Sequence, residues 1–339
     1  MTPARLEIVF SEDTKPEHRS VILGYIKSFE DQNLPAILSG EHLSLLLELQ
    51  ENALYAISNS PEDFYRTFFV RKNNGGQRRI SAPLPLLLSV QQWVLKEILQ
   101  SIAVHPTSKA YKKGSSIKEN ARFHKGQECL FKSDVEDFFG SISEFWVFKL
   151  FRSLNYTESI SRLLAGMCCK DGALPQGAAT SGYLSNIYMY QFDEALFAYC
   201  RENKWRYTRY ADDIAISGSG IELEGVKSIV SELLKKHKLR INLRKTRVQR
   251  QNTQQKITGV VVNERLSPER DFIRRIRQDL YYIEKYGVHG HARHRGIKSP
   301  LSCVNNLLGR ITHAQFLLGS STFLEDGKKR LERALGQFS

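Results

Sequence analysis

The residues of this chain best suited to chemistry are three acids at the ends of short apolar segments. Asp212 and Asp213 stand in Tyr210-Ala211-Asp212-Asp213, between Trp205–Tyr210 and Ile214–Ser217. Those flanks read as two strands joined by a tight acidic turn. Asp134 ends another apolar run, inside Phe131-Lys132-Ser133-Asp134-Val135-Glu136-Asp137-Phe138-Phe139. Adjacent carboxylates at a hairpin tip repel each other and add nothing to a core. A divalent cation makes the pairing favourable, and oxygen-only donors suit Mg²⁺. Three carboxylates on two strand ends fit the pair of Mg²⁺ ions used for in-line nucleotidyl transfer. An isolated Asp-Asp would be an ordinary polar turn. The strand pattern on both sides and the acid upstream favour the metal reading.

Those acids need a sheet to hold them. Cys129–Val135 reads as a strand, Phe145–Leu154 and Ser159–Cys169 as helices, and Ala178–Tyr199 as one long helix. After the hairpin around Asp212, Glu222–His237 carries a helical apolar stripe, and Thr246–Gln249 and Lys256–Val262 are expected to close the sheet. The order strand, helices, strand, strand, helix, strand is a ferredoxin-like α+β plan that sets Asp134 beside the acidic turn. Upstream, Glu41–Ile57 has helical spacing. Tyr65–Arg71 and Gln77–Ser81 form a hairpin through Lys72-Asn73-Asn74-Gly75-Gly76. Leu86–Ile102 is helical, and His105–Lys125 is mostly loop. Downstream, Pro268–Tyr286 begins a separate unit, with Phe272, Ile273, Ile276, Leu280 and Ile283 on one face and Arg274, Arg275 and Arg277 largely off it. Tyr286–Pro300 reads as a basic loop and Leu301–Leu318 as a helix.

The 339 residues suffice for a large core divided into two or three subdomains. Net charge is +13, and 14 Lys/Arg against 7 Asp/Glu lie between Arg265 and Ser339. That bias suits a polyanionic partner. No apolar run is long enough for a membrane span, and Met1–Ile8 has no signal-peptide core, so a cytoplasmic protein is expected. Five cysteines without paired C-x-x-C spacing argue against disulfides or a zinc knuckle. His289, His291 and His294 lack a nearby Cys or acid to complete a zinc set, and their alternation with Arg293 and Arg295 fits phosphate contacts better.

From about Tyr65 to Leu318 the order of motifs resembles a bacterial reverse transcriptase, and more narrowly a retron reverse transcriptase. Gly76-Gln77-Arg78-Arg79-Ile80 with Pro83 matches the fingers hairpin. Phe131–Phe139 matches the first palm motif, Leu174-Pro175-Gln176-Gly177 the second, Tyr210–Asp213 the third and Asn242-Leu243-Arg244-Lys245-Thr246 the fourth. Asn120-Ala121-Arg122-Phe123-His124 matches the NAxxH signature of retron enzymes, and Ile257-Thr258-Gly259 is close to their VTG. One departure is Gly182, where relatives commonly carry proline after the second palm motif; it is expected to loosen the following helix start.

The resemblance implies a right-hand polymerase: N-terminal helices and fingers over 1–128, palm over 129–263 and a basic helical thumb over 264–339. It implies metal ligation by Asp134, Val135, Asp212 and Asp213, with two Mg²⁺ ions and Mn²⁺ as a substitute. Arg78 would grip the triphosphate bidentately. Arg79 is its neighbour, and strand alternation lets only one of them face the site. Gln176 would contact the incoming nucleotide. Phe139 would pack under its sugar and exclude a 2′-hydroxyl, or else is core. Asp137 would lie near sugar and triphosphate, or is a structural acid. Lys245 would protonate the leaving pyrophosphate, or is a solvated lysine. Asn120 and His124 share a helix face, as a helix-stabilising pair or as RNA contacts. Thr258 and Gly259 would let an RNA backbone approach a strand, or mark a bulge. Arg274, Arg275 and Arg277 would lie on a template–primer duplex.

As a retron-like enzyme the protein would use dNTPs to copy part of a cognate structured non-coding RNA. It would prime from an internal guanosine 2′-hydroxyl to give branched RNA-linked DNA. It would serve antiphage defence with a separate effector protein. Two other readings stand beside this one. The first is another polymerase: an abortive-infection or group II intron-like enzyme, or an RNA-dependent RNA polymerase. The second is a non-catalytic RNA-binding scaffold.

Overall fold

The computed structural model describes residues 15–71 and 75–336. Residues 72–74 of the expected turn and the Met1–Ile8 segment lie outside the described residues. The chain begins with helices α1 (Pro16–Glu30), α2 (Gly40–Leu46) and α3 (Glu51–Asn59), then the hairpin β1 (Tyr65–Arg71) and β2 (Gln77–Pro83), and α4 (Pro85–Trp93). The helix expected over Glu41–Ile57 is thus two. Glu48 takes a left-handed φ of 55°, which stops α2, and Glu51 starts α3. Helix α5 (Ile117–Arg122) is started by Ser116, whose hydroxyl accepts the Glu119 N–H at 3.2 Å.

Strand β3 (Cys129–Asp134) follows, then α6 (Glu144–Ser153), α7 (Glu158–Cys168), α8 (Ser181–Tyr188) and α9 (Tyr190–Glu202). The single helix expected over Ala178–Tyr199 is broken at Met189: α8 begins at Ser181, just ahead of Gly182, and α9 follows from Tyr190. Next come β4 (Arg206–Tyr210), β5 (Asp213–Gly218), α10 (Leu223–Lys236), β6 (Arg247–Arg250), and the short β7 (Lys256–Ile257), β8 (Val260–Val261) and β9 (Ser267–Pro268). Helices α11 (Arg270–His294), α12 (Pro300–Leu318) and α13 (Thr322–Leu335) end the described chain.

These elements form two compact units, each built from several stretches. The first takes residues up to Lys113, Val135–Ala198 and Ile229–Asn242; the second takes Gly114–Asp134, Tyr199–Ser228 and the chain from Leu243. In the first, β1 and β2 pair as an isolated hairpin, with Val70 opposite Arg78 and Phe69 opposite Arg79. In the second, four antiparallel strands run in the order β4-β5-β3-β6. Numbered within this sheet, that is 2-3-1-4, the ferredoxin-like order expected from the sequence.

The sheet closes at β6. Lys256–Val262 does not join it; Ile257 and Val260 instead pair across a two-residue turn in a separate sheet, β7-β8-β9. Thr258 (φ 46°) and Gly259 (φ 81°) are that turn, and both central residues of such a turn need positive φ. Gly259 meets the requirement without strain, whereas Thr258 is β-branched and does not. This is a hairpin turn rather than a bulge.

Helices α11, α12 and α13 share a core of Ile276, Val304, Leu307, Ile311, Leu324 and Leu331, and the expected stripe on α11 supplies its side. The expected loop over Tyr286–Pro300 is mostly helical: α11 breaks only at Gly287 (φ 71°) and continues to His294. His291 is buried there, its Nε2 lying 3.2 Å from Asp279 Oδ1, while Arg310 donates to Asp279 Oδ2 at 2.5 Å. This histidine is a packing residue rather than a surface phosphate contact. All five cysteines are free and buried.

Candidate active site

Register brings the acids together. At the end of β3, Asp134 is the antiparallel partner of Asp213, the first residue of β5. Tyr210 and Asp213 close the β4–β5 hairpin, so Ala211 and Asp212 form its tip. Ala211 takes φ 56°, and Arg209, fully buried, donates from Nη1 to the Ala211 carbonyl at 2.9 Å. A guanidinium therefore fixes the backbone of the turn from beneath. Sequence reading missed Arg209. The available signal was a charged residue at an inward strand position.

The electrostatics follow from crowding. Asp212 is pushed up to about 6, first by burial, then by the charges of Asp134 and Asp213. Asp213 is raised as well, mainly by burial, with Lys132 opposing the shift. Lys132 lies on β3 opposite Ala215 and Arg247. A lysine inside that apolar strand was legible in the sequence, but its part in balancing Asp213 was not.

Lys245 supplies a second cation. Its Nζ donates to Asp134 Oδ2 at 2.8 Å, and the neighbouring Thr246 shares a 2.9 Å hydrogen bond with Ser133 that fixes this approach. Among the described residues, no three His, Cys, Asp or Glu side chains already converge on a point that holds a metal ion. The donor set still fits a hard divalent cation. All three side chains are carboxylates, two have their charged forms disfavoured by burial, and an ammonium already lies on the third.

The other candidate residues fall in different places. Val135 is buried in the first unit and bridges Ile241. Arg79 is held by Asp171 at 3.1 Å, while Arg78 is exposed on the same hairpin. Gln176 precedes Gly177, and its carbonyl accepts the Ser81 N–H at 2.9 Å, tying the second palm motif to β2. A Cβ on Gly177 would sit 2.6 Å from the Ser81 carbonyl oxygen, so only glycine allows this approach. Asp137 is exposed at φ 39°; Phe139 is half-buried against Phe138 and Tyr111.

Asn120 and His124 are both buried, which corrects their placement as RNA contacts. Thr208 donates to Asn120 Oδ1 at 2.7 Å, so its oxygen is left to accept from His124 Nε2, also at 2.7 Å. His124 Nδ1 then accepts from Ser217 at 2.7 Å. This neutral tautomer follows from the hydrogen-bond chain. Burial first, then Arg206 and Lys132, drive the imidazole down to about 3. The motif clamps the segment before β3 to β4 and β5, the two strands that carry the acidic turn.

Arg274, Arg275 and Arg277 are all exposed on α11. Arg274 and Arg277, with Arg265 and Arg270, line a cleft of about 1130 Å³ that also takes in Asn252 and Gln254; Arg275 is not part of it.

A ferredoxin-like sheet with paired acids at the ends of its two central strands is the palm of a right-hand polymerase, and the comparisons make this specific. The model of the reverse transcriptase (RNA-dependent DNA polymerase) family matches residues 70–262. The retron Ec86 reverse transcriptase of Escherichia coli is 30% identical over 265 residues, covering 76% of this chain and 83% of that protein. The retron Mx65 enzyme of Myxococcus xanthus is 31% identical, over 68% of this chain and 58% of that protein. A solved telomerase from Candida albicans aligns over 80% of this chain and 63% of that one, at 8% identity and a TM-score of 0.44, too remote to carry weight. The chain belongs to the reverse transcriptase family, and within it to the retron reverse transcriptases. It is an RNA-directed DNA polymerase, so an RNA template is a partner and a divalent metal is the family's general requirement. No helix among the described residues is long and apolar enough to cross a membrane.

Proposed function

We propose that Asp134, Asp212 and Asp213 form the catalytic centre of this polymerase and hold two Mg²⁺ ions, for which Mn²⁺ can substitute, with Val135, next to Asp134 in the sequence, as a further ligand. The observation that carries this is the cross-strand pairing of Asp134 with Asp213 next to the Asp212 turn. When bound, the ions would lower the pKa of the primer hydroxyl and neutralise the triphosphate. The protein's own part is positional. Arg209 and the Asn120–His124 clamp hold the turn, and Lys132 and Lys245 offset the acids' mutual repulsion. Arg78 grips the triphosphate, Gln176 and Asp137 contact the nucleotide, and Phe139 excludes the 2′-hydroxyl. Lys245 supplies a proton to the leaving pyrophosphate.

In this reading the fingers precede residue 129, the palm covers 129–263 and the thumb follows. The template is a cognate structured RNA, copied in the cytoplasm into branched RNA-linked DNA for antiphage defence with a separate effector. Arg274, Arg275, Arg277, Thr258 and Gly259 contact that RNA or its duplex. Sequencing the nucleic acid that copurifies with the protein tests this. A single RNA joined to complementary DNA through a 2′ linkage supports it; RNA with no attached DNA, from cells in which the protein is active, contradicts it.

A further inference from the structure

Tyr111 is a residue that the polymerase reading leaves without a role. It takes φ 56°, a conformation that a bulky residue adopts only when its surroundings impose it. Its ring is half exposed and packs on the backbone of Gly182. A Cβ at 182 would lie 2.4 Å from Tyr111 Cγ and 2.6 Å from Cδ1. Atoms do not approach that closely, so this ring position exists because residue 182 has no side chain. The same ring meets Phe139 with centroids 6.2 Å apart and planes tilted by 58°. Phe139 also touches the buried Phe138, at 5.4 Å. Phe139 is thus held between a fixed core ring and an exposed ring that is seated on Gly182.

We propose that Tyr111, seated on Gly182, is a positioning residue for sugar selection: it holds the Phe139 ring in the orientation that rejects a 2′-hydroxyl. The proposal rests on the reading of Phe139 as the residue under the sugar. It also gives the glycine at 182 a reason: any Cβ there would push the Tyr111 ring off its seat.

The test measures kcat/KM for a matched dNTP and rNTP. Tyr111→Ala should lower the dNTP preference roughly 2- to 10-fold, the size of one aromatic pair. Tyr111→Phe should keep the preference, since the ring and not the hydroxyl meets Phe139. Gly182→Ala should reproduce the effect by displacing the ring, and Gly182→Ala combined with Tyr111→Ala should lower the preference no further than Tyr111→Ala alone. In a Phe139→Ala background Tyr111→Ala should have no further effect. If Phe139→Ala shifts the ratio and both Tyr111→Ala and Gly182→Ala leave it unchanged, the positioning role is overturned while Phe139 keeps its role. If Phe139→Ala leaves the ratio unchanged, the reading of Phe139 fails, and the proposal with it.

Discussion

Lys245 Nζ lies 2.8 Å from Asp134 Oδ2, so a side chain from the fourth palm motif meets an acid of the first. The lysine is half exposed and the acid nearly buried. An ammonium at this oxygen competes with any metal ion that binds there. Lys245→Met should therefore tighten Mn²⁺ binding by roughly two- to fivefold, the range of a partly exposed ion pair. Mn²⁺ titration followed by water-proton relaxation reads this directly. Unchanged or weaker binding would show that Lys245 does not compete at Asp134.

The clamp around His124 predicts a pH dependence of stability. The folded-state pKa of His124 is depressed to about 3, below the ordinary value of 6.5. Its contribution is fully present above pH 6.5 and is lost as pH falls toward 3, at about 1.4 kcal/mol per pH unit. The acids of the turn respond in the opposite sense over the same range, so the His124 contribution is read as the difference between wild type and His124→Asn in urea unfolding at pH 7.0, 6.0 and 5.0. His124→Asn should be less stable at pH 7, because Thr208 and Ser217 lose a partner, yet lose less than the wild type as pH falls. A variant slope equal to the wild type's would place the titration elsewhere.

The α11 arginines divide by position. Arg274 and Arg277 line the cleft with Arg265 and Arg270, and Arg275 does not. Replacing Arg274 and Arg277 with Gln should reduce the log–log salt slope of RNA binding by about 1.4–1.8, or roughly 0.7–0.9 for each phosphate no longer neutralised. Arg275→Gln should change it less. Filter binding of copurified RNA at several salt concentrations decides; equal slopes for all variants would make this helix a merely solvated face.

The sheet and its acids were legible because both signals are local. A period-2 apolar pattern ending in Asp134 and the acidic turn at Asp212-Asp213 specify their own pairing, and register did the rest. The helix breaks at Met189 and Glu48 left no mark, since the apolar spacing continues across both. The small sheet around Thr258-Gly259 was misread because its strands are two residues long, too short for alternation to show. Burial separated the two explanations of Asn120 and His124: spacing put them on one face but could not say which way that face turned. Arg209 was missed for a related reason. A guanidinium is read as solvent-facing until the backbone carbonyl that it satisfies is known.

The proposed role of the acids around the β4–β5 turn in DNA synthesis is decided by Asp212→Asn combined with Asp213→Asn. Both acids have raised folded-state pKa values, so their contribution to stability is present below about pH 4 and lost as pH rises through the folded values, about 6 for Asp212. At pH 7 without metal the double variant should then melt no lower than the wild type and should still bind RNA. Primer extension with Mg²⁺ and dNTPs on an RNA template should fall to background, a loss of at least roughly 10³-fold. Extension near the wild-type rate by the folded, RNA-bound variant would contradict the account.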